Sequence, residues 1–150
     1  MPSSPTRPTL SWLTTTTPPS GIWTVSRRCA RGAQRIVEQQ RAQNFVGGCR
    51  LGSLAAELVE SDAELQADFA AGFERWEALL RRGLLTMQQR GDLRPDADPD
   101  ALAYSLLAAA QGGYLLTQAH RDTRALQAAL GAAIDHIELL AIEASERSTG

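Results

Sequence analysis

Between Leu51 and Ala141 the apolar residues return every three or four positions, and nowhere do they alternate with the period of two that a half-buried strand requires. Leu51, Leu54, Ala55, Leu58 and Val59 line one face of a short helix that ends near Glu60. Ser61-Asp62-Ala63-Glu64 then forms a capping-box pattern, in which a hydroxyl and a carboxylate satisfy the free backbone donors of a new helix. Along that helix Leu65, Phe69, Phe73, Trp76, Leu80, Leu84 and Met87 draw an apolar stripe, and Gly91 stops it. Its outer face is polar, with Glu77 and Arg81 spaced for an i,i+4 ion pair. After a loop, Asp98-Pro99 supplies an aspartate N-cap and a proline at the first helical position. The helix they open carries Leu102, Leu106, Ala109, Gly113 and Leu116 on one face and Tyr104, Leu107, Ala108, Gln111 and Leu115 on another, so it is apolar on most sides. Asp122 or Thr123 caps the last helix, whose stripe of Leu126, Leu130, Ala133, Ile134, Ile137 and Ala141 runs towards Ser145. The pattern predicts an all-α fold, a helical bundle of about five helices.

The segment before this region reads differently. Pro2, Pro5, Pro8, Pro18 and Pro19 stand among serines and a threonine run from Thr14 to Thr17, which opposes regular helix. Helical signals start at Gln34 with Ile36 and Val37 and break at Gly47-Gly48, predicting a first helix from Gln34 to Asn44. The expected division is a disordered Pro/Thr-rich tail over residues 1–33 and a helical domain over 34–145.

Composition narrows the functional classes. A hydrophobic fraction of 43% and a charged fraction of 21% are those of a folded globular chain. A net charge of −2 creates no general field for a polyanion, and the cluster Arg27, Arg28, Arg31 and Arg35 reads as solvated. Cys29 and Cys49 are too few and too far apart for a metal site, which leaves reduced thiols. With no signal-peptide pattern and no long apolar run, the expectation is a cytoplasmic protein without a membrane partner.

The last two helices carry more apolar surface than a small bundle covers. Ala108, Ala109, Ala110, Gly112 and Gly113 allow close helix approach, and a mid-helix glycine costs about 1 kcal/mol relative to alanine, which calls for a packing reason. A two-fold homodimer joined through a four-helix bundle follows, with Leu106, Ala110, Gly113, Thr117, Leu130, Ile134 and Ile137 as interface candidates.

Several segments, in this order and spacing, point further: Gly48-Cys49-Arg50-Leu51-Gly52-Ser53-Leu54-Ala55-Ala56-Glu57-Leu58, Phe73-Glu74-Arg75-Trp76, Gly91-Asp92-Leu93-Arg94-Pro95, Asp98-Pro99 and Gln111-Gly112-Gly113. Together they resemble the C-terminal domain of TetR-family transcriptional regulators, from Ile36 to Ala144, with one departure at Arg50, where that group often has proline. The resemblance implies a domain that dimerises through its last two helices and holds a small apolar or aromatic effector, which alters the spacing of two DNA-reading heads. Phe69, Phe73, Trp76, Leu80 and Leu107 are the apolar candidates for that site, and Tyr104, Gln111 and Tyr114 supply polar atoms. The family's helix-turn-helix heads precede this region, whereas here the proline- and threonine-rich segment stands before Gln34. The expectation is therefore a regulator fragment, as a shifted upstream frame would produce, with DNA binding lost or absent and DNA a partner only where an upstream helix-turn-helix exists.

No catalytic residues are expected. Neither Ser53 nor Cys49 has a histidine at a recognisable spacing, and no phosphate-cradling loop occurs. His120 and His136 belong at the surface, and neither a metal nor a cofactor is called for. The alternative to an effector domain is a helical self-association or protein-interaction module with no small-molecule ligand.

Overall fold

The computed structural model describes residues 23–58 and 63–142. Over these residues the chain forms five helices: α1 (Trp23–Ala42), α2 (Arg50–Leu58), α3 (Ala63–Gln89), α4 (Pro99–His120) and α5 (Arg124–Leu139). Among the described residues the extended structure is an isolated bridge between Leu93 and Ala141, so the periodicity identified the class correctly.

The helix ends show how local chemistry sets the frame. The Asp98 carboxylate accepts the backbone N–H groups of Asp100 and Ala101 at 3.0 and 3.2 Å, capping α4 just before Pro99. Gly91, at φ 72, closes α3 in the left-handed conformation that favours glycine. Between α4 and α5, Arg121 turns at φ 56 and the Asp122 carboxylate accepts the Arg124 N–H at 2.9 Å. Thr123 occupies the N-cap position but makes no side-chain cap bond and is buried instead. Of the capping-box residues, Ser61 and Asp62 lie outside the described residues.

α4 and α5 form a tight helical hairpin. A β-carbon at Gly113 would lie 2.8 Å from the Leu126 Cα, so only a hydrogen lets the two helices approach this closely. Their inner faces hold two apolar clusters. Leu84, Leu93, Ala97, Leu102, Ala103 and Ile137 gather at one end, and Ala33, Val37, Leu126, Leu130 and Ile134 join α1 to α5 at the other. The short α2 packs through Leu51 onto Gly72 of α3, where a β-carbon would stand 2.8 Å from Leu51 Cδ2. Leu54, expected on the same buried face, is 49% exposed.

Two boundaries differ from the pattern. The first helix begins at Trp23, not near Gln34, and so overlaps residues 23–33 of the expected tail, whose residues 1–22 lie outside the described residues. Its inward stripe is Cys29, Ala33, Ile36, Val37 and Gln40; a small, weakly apolar stripe becomes decisive once α5 covers it. The last helix ends at Leu139, short of Ser145, because the chain there pairs with the 91–97 loop. Arg94 N–H donates to the Leu140 carbonyl at 2.9 Å, and Ile142 N–H donates to that of Asp92 at 3.1 Å. The Gln88 amide braces the same loop, lying 3.0 to 3.2 Å from the carbonyls of Arg94, Pro95 and Ala97.

Candidate functional site

Two cavities open beside α4. The larger, of about 500 Å³, lies between α1, α3, α4 and α5. Its existence follows from residue size: α1 contributes Gly32 and Ala33 and α4 contributes Ala110, so the facing helices leave a gap that their side chains do not fill. A β-carbon at Gly32 would meet nothing within 4 Å. Leu80, Leu107, Leu130 and Ile134 complete apolar walls. Trp76 and Leu79 also line it, and at 42% and 57% exposure they mark its mouth. The Cys29 thiol on the α1 side is pushed above its ordinary pKa, first by burial and then by the Glu138 carboxylate, so it stays protonated and weakly nucleophilic.

The smaller cavity, of about 290 Å³, lies between the start of α2, Phe73 of α3, and α4. Its lining is more polar, including Ser53, Gln111 and Gln118. Gln111 Nε2 is buried with no hydrogen-bond partner. Glycines let α2 and its preceding turn come this close: Gly52 faces Gln111 Oε1, which a β-carbon would overlap, and Gly48, at φ 41, faces the Gln118 side chain. Cys49 caps α2 in place of a hydroxyl residue, its Sγ accepting the Gly52 N–H at 3.3 Å. Tyr114 lines both cavities, and burial raises its phenol above the ordinary value, with Cys49 adding to the shift.

Among the residues anticipated for an effector site, Trp76, Leu80, Leu107 and Tyr114 line the larger cavity, and Phe73, Gln111 and Tyr114 the smaller. Phe69 is buried and lines neither, and Tyr104 is 60% exposed on another face of α4. The α1 wall was missed, because its glycine and alanine carry no periodic apolar signal. The residues anticipated for a dimer face sit differently. Gly113, Thr117, Leu130, Ile134 and Ile137 are buried inside the chain, against its own α1, α3 and α5 neighbours or between α4 and α5. Leu106 and Ala110 are half-buried on the wall of the larger cavity. The exposed apolar and small residues of α4 include Ala101, Tyr104, Ala108, Gly112, Leu115 and Leu116, of which Gly112 and Leu115 also line the smaller cavity, and those of α5 include Ala128, Ala132 and Leu139. Sequence spacing found both apolar faces of α4 but could not say which one its own chain covers.

Charge is absent from the linings: no described residue around either cavity is Asp, Glu, Lys, Arg or His. His120 and His136 are exposed, and the described residues contain no cluster of three or more potential metal ligands. Among them, too, no helix is long and apolar enough to cross a membrane.

Residues 27–133 match the family described as "Tetracyclin repressor-like, C-terminal domain". A curated relative, the HTH-type transcriptional repressor DhaR of Mycobacterium sp. (strain GP1), is 29% identical over 79 residues, which are 53% of this chain and 40% of that protein. The chain thus spans 40% of the length of the curated relative it matches. No solved structure matches it.

Proposed function

This chain belongs to the TetR family of transcriptional regulators, carrying the tetracyclin repressor-like C-terminal domain, and we propose that it is a sensing and dimerising unit whose larger cavity holds a small apolar effector. The observation that carries this reading is the cavity of about 500 Å³ with Trp76 at its mouth. Trp76 is 42% exposed and borders an apolar hollow of ligand size. A flat, rigid aromatic surface at such a position gives an apolar molecule a large contact area.

Dimerisation is assigned to the outward faces of α4 and α5. Leu115 is 65% exposed and Leu139 is 78% exposed, and the small residues between them let a second hairpin approach. The same two helices thus serve both their own chain and a twin, and Gly112 and Leu115, which also line the smaller cavity, stand where the two uses meet. α1 forms a wall of the larger cavity at Gly32, Ala33 and Ile36, so filling that cavity acts on the helix that leads towards the N-terminus. Reading of DNA is assigned to a helix-turn-helix segment, which the relative's name describes, and not to the domain itself.

Sedimentation velocity at micromolar concentration tests the first half: a dimer is expected, and Leu139→Glu, at a residue that lines neither cavity, is expected to yield folded monomers. Thermal shift and tryptophan fluorescence against apolar and aromatic compounds test the second half. A saturable response that a Trp76→Ala variant loses supports the effector reading. A dimer that answers to no compound supports the plain self-association module instead.

A further inference from the structure

Resting on the effector reading above, we propose that the molecule held here is uncharged and carries a hydrogen-bond acceptor, such as an ester, ketone or ether oxygen. That acceptor docks on the Gln111 amide in the smaller cavity, and the apolar body extends past Tyr114 into the larger one.

Three polar atoms are buried without a partner among the described residues: Gln40 Oε1, Thr117 Oγ1 and Gln111 Nε2. Of these three side chains, Gln111 alone lines one of the two cavities. A buried amide N–H without an acceptor is unfavourable, and an acceptor brought by a ligand removes that deficit. The other lining groups divide the same way. Ser53, Gln111 and Gln118 put the polar atoms in the smaller compartment, while the larger is walled by leucine, isoleucine, alanine and the Trp76 ring. Tyr114 belongs to both linings, so the compartments adjoin at its side chain. Its phenol is held neutral by burial and adds no charge.

The described lining residues carry no charge, and this sets them against the other ligand classes. A carboxylate or phosphate would lose its hydration and gain no cation, and an ammonium would find no carboxylate in either lining.

Isothermal titration calorimetry on the full chain tests this with two matched sets: methyl decanoate, decanoate and decane, then methyl benzoate, benzoate and toluene, all at neutral pH. In at least one set the ester is expected to bind about tenfold tighter than both its anion and its hydrocarbon. Gln111→Leu is expected to bring the ester down to the hydrocarbon's affinity while leaving the hydrocarbon unchanged. An anion that binds as tightly as its ester overturns the proposal, and so does an ester that keeps its margin in Gln111→Leu. The ester-to-anion comparison in the unaltered chain decides the matter even where that variant does not fold. Silence from all six compounds strikes at the effector reading itself, whereas hydrocarbon binding without an ester advantage spares that reading and removes only the acceptor site.

Discussion

Replacing Gly113 by alanine adds one methyl group at the closest point of the α4–α5 hairpin. The new carbon would stand 2.5 Å from Leu126 Cδ1, 2.8 Å from Leu126 Cα and 3.1 Å from Leu126 Cβ. Carbon atoms rest at about 3.5–4.0 Å, so the helices must part by on the order of 1 Å. Leu126 is fully buried, and a rotamer change moves its side-chain tip but leaves its backbone where it stands. Overpacking of this kind costs about 1–3 kcal/mol, and the better helix propensity of alanine returns about 1 kcal/mol of it. A net loss of about 1–2 kcal/mol is expected, since backbone resists more than a side-chain tip. Gly83 is the internal control: it lies in α3, is exposed, and a β-carbon there would meet nothing within 4 Å. Gly83→Ala should therefore stabilise by about 0.8–1 kcal/mol. Circular dichroism melts at one fixed chain concentration should separate the two variants by about 5–10 °C in opposite directions from the parent. A Gly113→Ala protein that melts at or above Gly83→Ala would refute the reasoning that the Leu126 backbone sets the spacing of this hairpin.

Three other outcomes follow from named interactions. Asp98→Ala removes the carboxylate that accepts two N–H groups at the start of α4, and urea denaturation should register a loss of about 1 kcal/mol, with Asp98→Asn retaining most of the capping. Gln88→Leu removes the brace on the 91–97 loop, and the same assay should show about 1–2 kcal/mol lost, with faster amide exchange at Arg94 and Ile142, whose N–H groups bond across that loop. Cys29 and Tyr114 both have raised folded-state pKa values, so their contribution to stability is fully present below the ordinary thiol and phenol values and is lost as pH rises through the folded ones. The urea midpoint should fall between about pH 8 and pH 11, and a Cys29→Ala, Tyr114→Phe variant should show a flatter decline; an unchanged slope would mean that neither group is desolvated.

The sequence by itself determined the elements that rest on local chemistry. The α3 stripe, the Asp98-Pro99 start of α4 and the glycine that ends α3 were all legible, because capping groups and the helical period act within a few residues of one another. It also put Trp76, Gln111 and Tyr114 among the candidates, since an aromatic or an amide on an apolar face stands out whatever surrounds it. Tertiary structure alone decided the rest. The packing of α1 from Cys29 onward depends on α5 covering a stripe of small residues, and the end of α5 at Leu139 depends on backbone bonds to a loop far away in sequence. Which face of α4 turns inward was equally invisible, because a helix apolar on most sides carries no phase of its own. Leu126 approaching Gly113 supplies that phase, and with it the division between the buried and the exposed residues of α4.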